Sequence, residues 1–163
     1  MHPTDLTVAA VVEQEGRFLL VEEYASGQRV LSQPGGHIEA GESPEQAVMR
    51  EAMEETGCDV SCEELVGLYL WIHPQTRQQF LRIVYTAHLL RCDTERKLDD
   101  GIIGRRWLTL DEISSRRAML RSPAVLRCVH DYVSGRRQPD ALLTELLPLQ
   151  RNVDRVLATA DLV

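Results

Sequence analysis

Three glutamates, Glu51, Glu54 and Glu55, have the residue type and the spacing that a metal-binding site requires. They fall on the last turns of one predicted helix, where Glu51 and Glu55 are about 6 Å apart along the axis. A helix C-terminus carries partial negative charge, and a like-charge pair at positions i and i+4 is unfavourable by about 0.2–0.5 kcal/mol. Local physics disfavours this arrangement unless a cation offsets it. Carboxylate oxygens are hard ligands, so the pattern predicts a Mg²⁺ site that also accepts Mn²⁺.

A glycine-rich loop at residues 33–42 leads directly into this helix. Three of the seven residues from Gly35 to Gly41 are glycines, which allow positive φ angles and close approach of the backbone to a ligand. For Glu54 taken alone, the alternative is a solvated acidic helix face, which is common on protein surfaces. The combination of the loop with the acidic helix favours a ligand site instead.

Local signals define the limits of the helix. Ser43 is predicted as the N-cap, Pro44 as the first helical residue and Gln46 as the partner in a capping box. Gly57 is predicted to end the helix in the left-handed conformation. An apolar stripe should pack on a sheet and leave the three glutamates at the border of the buried face. This stripe consists of Val48, Met49, Ala52 and Met53.

The loop and the helix together resemble the signature of the Nudix hydrolase family, which is matched at every fixed position. The match reads Gly36-x5-Glu42-x7-Arg50-Glu51-Ala52-x-Glu54-Glu55-x-Gly57-Cys58. Ala52 and Cys58 are small apolar residues at positions where the family has bulky aliphatic ones. The resemblance implies an α/β fold, namely a Nudix-type α/β/α sandwich with a mixed central sheet. It also implies binding of a divalent metal and of the pyrophosphate in a nucleoside diphosphate linked to another group.

The resemblance further implies roles for individual residues of this segment. Arg50 and Glu42 would form an ion pair that orients the carboxylates. The implied metal ligands are the carboxylates of Glu51, Glu54 and Glu55 and the backbone carbonyl of Gly35. The implied catalytic residues are Glu51, Glu54, Arg50 and Glu42.

The general base for attack by water is left open between two regions. Glu51 and Glu54 are candidates on the helix, and an acid from the polar loop at residues 92–104 is the alternative. In that loop the candidates are Asp99 and Asp100, whose position is similar to that of a loop ligand in some relatives. The alternative, equally open, is that Asp99 and Asp100 are only solvated acids of the loop.

Candidate substrate contacts come from the loop and from two strands. Trp71 would stack on a base, with packing inside the sheet as the alternative. Arg82 would hold a terminal phosphate, with a surface ion pair as the alternative. Gly36 and His37 would contact phosphate, unless His37 only fixes the loop. Ser122 is predicted as a helix cap. Four arginines are predicted to be solvated surface charge: Arg116, Arg117, Arg136 and Arg137.

Short runs beyond the signature carry a second resemblance, and they include Gln33-Pro34, Trp71-Ile72, Arg106-Trp107 and Arg121-Ser122-Pro123. Through these runs, residues 5–140 resemble the NudJ subgroup of phosphatases within the same family. That similarity implies a general (pyro)phosphatase of nucleoside tri- and diphosphates and of the pyrophosphate of the thiamine pyrimidine precursor. Another Nudix specificity, for a sugar nucleotide or a dinucleoside polyphosphate, is the alternative among enzymes. A non-catalytic nucleotide-sensing module is the alternative from another class, although such a module would be expected to lose signature carboxylates.

The formal net charge of −7 over 163 residues argues against nucleic-acid binding, which needs a basic face. It also opposes an anionic substrate, a conflict that metal ions on the carboxylates would resolve. No apolar run approaches the roughly 20 residues that span a bilayer. The expected partner is therefore a small-molecule phosphate substrate, without nucleic acid or membrane.

The N-terminal residues and the cysteines together predict a cytoplasmic protein. The first five residues lack the basic start and the apolar core of a signal peptide. The four cysteines show no metal-ligand spacing, and they are predicted to be buried or idle thiols in a reducing cytosol.

The chain should form one Nudix domain over residues 1–140. Strands are predicted at residues 6–12, 17–23, 30–32, 64–73, 78–91 and 105–109. The first is apolar along its length, as is typical of a central strand covered on both faces. A second helix should end at Gly135 and bury Val125, Val129, Tyr132 and Val133. The leucine-rich tail at residues 141–163 is predicted to be helical and docked on the domain or on a second subunit, which gives a monomer or a homodimer.

Overall fold

A six-stranded mixed sheet forms the centre of the structure, a computed structural model that describes residues 3–144. The strands are β1 (Thr4–Gln14), β2 (Arg17–Ala25), β3 (Gln28–Ser32), β4 (Cys58–Ile72), β5 (Gln79–Cys92) and β6 (Ile102–Leu108). Their order is β3-β2-β1-β5-β4, and β6 pairs with β2. Strands β1 and β5 are parallel, and the other pairs are antiparallel. Each predicted strand is confirmed, and most extend beyond the predicted limits.

Strand β1 holds the glycine-rich loop in place beside the sheet. The register pairs β1 with β2 at the hairpin end of β1. Further along β1, the N–H of Val8 donates to the carbonyl of Gly36 at 2.8 Å. The N–H of Ala10 donates to the carbonyl of Pro34 at 2.9 Å. The loop therefore takes up backbone hydrogen bonds of the central strand, which fixes the position of its glycines.

Within residues 3–144, three α-helices accompany the sheet: α1 (Pro44–Thr56), α2 (Leu110–Ser115) and α3 (Pro123–Val133). Helices α1 and α3 are the two predicted helices. The short helix α2 is absent from the expectations, although its signal is present in the sequence. Thr109 and Glu112 form a capping box, which reads as Thr-x-x-Glu.

The two faces of β1 support the two halves of the hydrophobic core. On one face, Val8 and Val12 belong to a cluster that includes Val48 of α1. On the other face, Val11 belongs to a cluster that includes Val129 of α3. Helices thus cover both sides of the central strand, which explains why its middle section, from Val8 to Val12, is apolar and buried. The predicted α/β/α sandwich is confirmed.

The buried faces of both long helices differ from the predicted stripes. In α1, Met49 is 38% exposed and Met53 is half-buried. The 3.6-residue period places Glu51 on the buried face instead, despite its charge. In α3, Val133 is 56% exposed because it is the last helical residue, and Tyr132 is half-buried. The buried residues of α1 are Pro44, Ala47, Val48, Glu51, Ala52 and Thr56.

The prediction of four thiols is wrong for two of the cysteines. Cys58 and Cys92 lie opposite each other in the antiparallel pair of β4 and β5, and they form a disulfide. Cys62 and Cys128 are free. A separation of 34 residues hides the pair in the sequence, because only the strand register brings the two side chains together.

Two further expectations concern membrane-spanning helices and the C-terminal tail. Within residues 3–144, no helix has the length and apolar character needed to cross a membrane. Asp140–Leu142 forms a 3-10 turn at the start of the tail. The predicted docking of a helical tail falls largely on residues 145–163, which lie outside the described residues.

Candidate active site

Helix α1 begins and ends where the sequence predicts. The Ser43 side chain accepts a hydrogen bond from the N–H of Gln46 at 3.1 Å, and the Gln46 side chain accepts one from the N–H of Ser43 at 2.9 Å. Gly57 has a φ of 67°, and its N–H donates to the carbonyl of Met53. These caps place the three glutamates in the second half of α1, where Glu51 and Glu55 contact the glycine-rich loop.

Only glycine fits at the two loop positions closest to the helix. A Cβ at Gly35 would lie 2.1 Å from the carbonyl oxygen of Val8. A Cβ at Gly36 would lie 2.5 Å from Oε1 of Glu51. Real Cβ atoms do not approach other atoms this closely, so a side chain at either position would displace the loop, the strand or the carboxylate. The glycines thus allow the loop to lie directly against Glu51.

One guanidinium holds three of the carboxylates. Nε of Arg50 donates to Glu42 at 2.8 Å, and Nη1 donates to Glu51 at 2.8 Å and to Glu54 at 2.9 Å. Nη2 donates to the carbonyl of His37 at 3.0 Å. Arg50 therefore orients Glu51 and Glu54 and joins them to the loop. The hydrogen bond from Arg50 also lowers the pKa of Glu42.

Two glutamates are buried enough to disfavour their negative charge. Burial raises the pKa of Glu51, even though Arg50 opposes that rise. Burial raises the pKa of Glu55 to about 8, against a 2.8 Å hydrogen bond that it accepts from the N–H of Gly35. A cation near these oxygens would restore the charged forms. The donor set, with carboxylate oxygens and a backbone carbonyl, fits Mg²⁺ or Mn²⁺.

The carboxylates do not converge by themselves. Over residues 3–144, no group of three acidic, histidine or cysteine side chains is arranged as a ready cation cluster. The hydrogen bonds above give the reason, because Arg50 holds Glu51 and Glu54 while the Gly35 N–H holds Glu55. The metal-ligand roles of these residues and of the Gly35 carbonyl therefore stay predictions.

A cavity of about 340 Å³ lies between the loop, α1 and β5, and we call it the acidic cavity. Its acidic lining residues are Glu39, Glu51 and Glu55. All four candidate substrate contacts line it, together with Gly35 and Arg50. These four are Gly36, His37, Trp71 and Arg82. The structure thus brings together residues that are up to 46 positions apart in the sequence.

The four candidates differ in the contacts they already make. Trp71 stacks on Phe80, with ring centroids 5.7 Å apart, and meets His73 edge-on. No hydrogen bond or ion pair joins Arg82 to another residue within residues 3–144, although the charges of Glu55 and Glu23 act on it, so its phosphate-binding role stays a prediction. Burial lowers the pKa of Arg82. Nε2 of His37 lies 3.5 Å from Asp5, which supports a role in fixing the loop.

The structure separates the two loop acids. The N–H of Asp99 donates to the carbonyl of Glu54 at 3.1 Å, and its charge contributes to the raised pKa of Glu51, although burial of Glu51 is the main cause. Both acids are exposed and neither lines the acidic cavity, but Asp100 makes no such contact with the glutamates. Of the two candidates, Asp99 is the one next to the glutamates.

Six residues that line the acidic cavity are not among the site residues predicted from the sequence. Ser122 is the N-cap of α3 but makes no capping hydrogen bond through its side chain, so its hydroxyl is available at the cavity. Phe80 lies opposite Trp71 in the pairing of β4 with β5, so its place at the site follows only once that strand pairing is known. Arg121 belongs to the run Arg121-Ser122-Pro123 that resembles the phosphatase subgroup, but it is not among the predicted substrate contacts. The additional lining residues are Thr7, Glu39, Phe80, Arg121, Ser122 and Ala124.

A second cavity of about 530 Å³ adjoins the first, and we call it the basic cavity. The two cavities share Trp71, Arg121 and Ser122. Arg117, predicted as solvated surface charge, lines the basic cavity. The other arginines predicted as surface charge include Arg136, which binds Asp131 at 3.2 Å.

Comparisons with known proteins identify the family of this chain. Residues 3–127 match the family described as the NUDIX domain. This chain belongs to the Nudix family, and it is a Nudix hydrolase that acts on small pyrophosphate compounds. Among its relatives, the phosphatases NudJ of Shigella boydii serotype 4 and Escherichia coli K12 are each 37% identical over 139 residues. That match covers 85% of this chain and 90% of either relative.

Solved structures show the same fold. A NUDIX hydrolase from Nitrosomonas europaea superposes with a TM-score of 0.86 and 40% identity, covering 90% of this chain and 100% of that chain. A MutT protein from Methanosarcina mazei Go1 superposes with a TM-score of 0.65 and 24% identity, covering 82% of this chain and 96% of that chain. The second likeness concerns the fold alone.

Proposed function

We propose that this Nudix hydrolase cleaves phosphoanhydride bonds with Mg²⁺ bound and releases phosphate. The proposed substrates are nucleoside tri- and diphosphates and related diphosphates, including the pyrophosphate of the thiamine pyrimidine precursor. The observation that carries the proposal is the acidic cavity, which buried Glu51 and half-buried Glu55 line together with Arg82. The identity to the phosphatases NudJ supports the choice of substrates.

The metal would be held by Glu51, Glu54, Glu55 and the carbonyl of Gly35. When bound, Mg²⁺ or Mn²⁺ supplies neutralisation of the phosphate oxygens and lowers the pKa of a coordinated water. Arg50 keeps the carboxylates in position for this role through its three ion pairs. A cation there also offsets the net negative charge that opposes an anionic substrate.

The chain's own residues would orient the phosphates and accept the proton. Arg82 has a free guanidinium on the cavity wall, where it would donate to phosphate oxygens. Water attacks phosphorus, the bridging P–O bond breaks, and a carboxylate takes the proton. Glu51, Glu54 and Asp99 are the proposed candidates for this base, which typically contributes about 10²–10⁴-fold. Positioning and electrostatics supply the remainder.

A different Nudix specificity is the second candidate function. A sugar nucleotide or dinucleoside polyphosphate would place its second organic group in the basic cavity, which adjoins the proposed pyrophosphate site. Product analysis separates the two, because a phosphatase releases orthophosphate. The alternative activity yields a nucleoside monophosphate and a phosphorylated fragment. A non-catalytic sensing module is disfavoured, since Glu42, Arg50, Glu51, Glu54 and Glu55 are all present.

Three further expectations stay predictions. The chain should act as a monomer or a homodimer, and it should bind neither nucleic acid nor membrane. The prediction of a cytoplasmic location relied partly on four free thiols, and the disulfide between Cys58 and Cys92 removes that argument.

The proposal is tested by Glu51→Gln in a phosphate-release screen with Mg²⁺ present. The screen covers nucleoside di- and triphosphates, sugar nucleotides and thiamine-pathway diphosphates. Removing the charge of a base or ligand should lower kcat by about 10²–10⁴-fold. Glu63→Gln, an exposed change on β4, is the control and should keep full activity. Wild-type turnover in a correctly folded Glu51→Gln protein would refute the proposed site.

A further inference from the structure

All the charged side chains that line the basic cavity carry positive charge. Its charged and titratable side chains are those of Arg117, Arg121, Arg127, His73 and His130. No carboxylate lines it among residues 3–144. A cleft lined by groups of one sign focuses the electrostatic field and concentrates ions of the opposite charge. The basic cavity therefore suits an anionic ligand.

Its arginines retain free hydrogen-bond donors. Arg121 pairs with Glu23 through Nη1 at 2.5 Å, and Arg127 pairs with Asp131 through Nε at 3.0 Å. Arg117 forms no ion pair within the described part of the chain. Because a guanidinium carries five N–H donors in a planar fork, each of the three can still bind a phosphate oxygen.

The remaining wall is apolar and can hold an organic group. Trp71, Leu120, Pro123 and Leu126 supply this part of the lining. The volume of about 530 Å³ lies within the range of about 300–1,000 Å³ typical of small-molecule sites. Trp71 is also shared with the acidic cavity, so one ligand can extend from the glutamates into the basic cavity.

We propose that the basic cavity binds the organic part of the substrate and selects an organic part that carries its own phosphate monoester. The inference rests on the proposed function, because it takes the acidic cavity as the site of the pyrophosphate. Arg117 and Arg121 bind the additional phosphate, and the apolar wall holds the sugar or the ring. An uncharged organic part gains only the apolar contacts.

Calorimetric titration with two nucleotides tests this inference. Adenosine 5′-monophosphate and adenosine 3′,5′-bisphosphate differ by one phosphate monoester, and both are titrated with Mg²⁺ present. We expect the wild-type protein to bind the bisphosphate about tenfold more tightly, equivalent to about 1.4 kcal/mol. Arg117→Gln should reduce this ratio to about twofold, because the unpaired guanidinium supplies most of the difference.

Arg116→Gln is the matched control. Arg116 is adjacent in sequence but lines a different surface pocket, so its variant should keep the tenfold ratio. Thermal unfolding of both variants verifies that they fold. Equal affinities in the wild type, or an unchanged ratio in Arg117→Gln, would overturn the inference.

The titration and the phosphate-release screen, carried out on the same protein, distinguish this inference from the proposed function. Metal-stimulated turnover without any preference for the bisphosphate would remove only the selection by the basic cavity. A preference that depends on Arg117, with no turnover of any phosphoanhydride, would instead remove the proposed function.

Discussion

The acidic and basic cavities share a wall, but they hold their charged groups in different ways. Around the acidic cavity, Gly36 packs against Glu51, which is 9% exposed and bound by Arg50. In the basic cavity, the Arg121 and Arg127 side chains are 50% and 63% exposed. Bond cleavage needs groups preorganised around the reacting atoms. Recognition of a charged substituent tolerates side chains that adjust, so a rigid site and an adaptable one can lie side by side.

Gly36→Ala should break the acidic cavity and leave the basic cavity unchanged. The new Cβ would lie 2.5 Å from Oε1 of Glu51, so the loop or the carboxylate has to move. A displacement of about 1 Å at a reacting centre can reduce the rate roughly 10²-fold. We expect kcat in the phosphate-release assay to fall by about that factor, with the bisphosphate-to-monophosphate affinity ratio preserved.

Gly104→Ala is the control for this change. Its Cβ would approach only the end of the flexible Arg106 side chain, at 3.4 Å. Turnover in that variant should equal the wild-type value. If Gly36→Ala also kept wild-type turnover, the close packing of loop against Glu51 would have no part in catalysis.

Trp71→Ala should weaken both cavities, because the ring belongs to their shared wall. Stacking of an aromatic ring on a base is worth about 1–3 kcal/mol. We expect KM for nucleotide substrates to rise about tenfold, with a smaller change in kcat, in steady-state assays. Tyr24→Ala, which removes an exposed ring outside both cavities, should leave KM unchanged. An unaltered KM in Trp71→Ala would limit that ring to packing on Phe80.

Asp99→Asn and Asp100→Asn test which of the two loop acids acts on Glu51. Asp99 acts on Glu51 through its charge, whereas Asp100 has no such contact. An exposed charge interaction is worth about 0.2–1 kcal/mol, so Asp99→Asn should change kcat by a few-fold and Asp100→Asn should not. A loss of about 10²-fold or more in Asp99→Asn would identify Asp99 as the general base. Equal effects of the two changes would contradict the separation seen in the structure.

The features that the sequence predicts correctly depend on local signals. Ser43, Gln46 and Gly57 set the limits of α1 through hydrogen bonds to residues three or four positions away. The apolar run in β1 reports burial on both faces of one strand. The positions of Gly35 and Gly36 follow from fixed spacing to the glutamates. Such signals do not need the register of the sheet.

The missed features depend on which residues the sheet places side by side. Trp71 faces Phe80, and Thr7 faces Arg82, only because β5 pairs with both β4 and β1. The basic cavity likewise combines β4 with α3 and the preceding turn, and its arginines are ordinary surface residues in the sequence. Glu51 is more deeply buried than its charge predicts, because the helical period places it on the buried face of α1.

The Cys58–Cys92 disulfide has a consequence for anyone who assays this enzyme. Cys58 directly follows the cap of α1, and Cys92 directly precedes Asp93, whose N–H donates to the carbonyl of Gly57. Breaking the bond would release the covalent tie between the glutamate helix and the segment that carries Asp99. Samples handled with dithiothreitol and samples handled in air would be two chemically distinct preparations, whose rates belong to separate data sets.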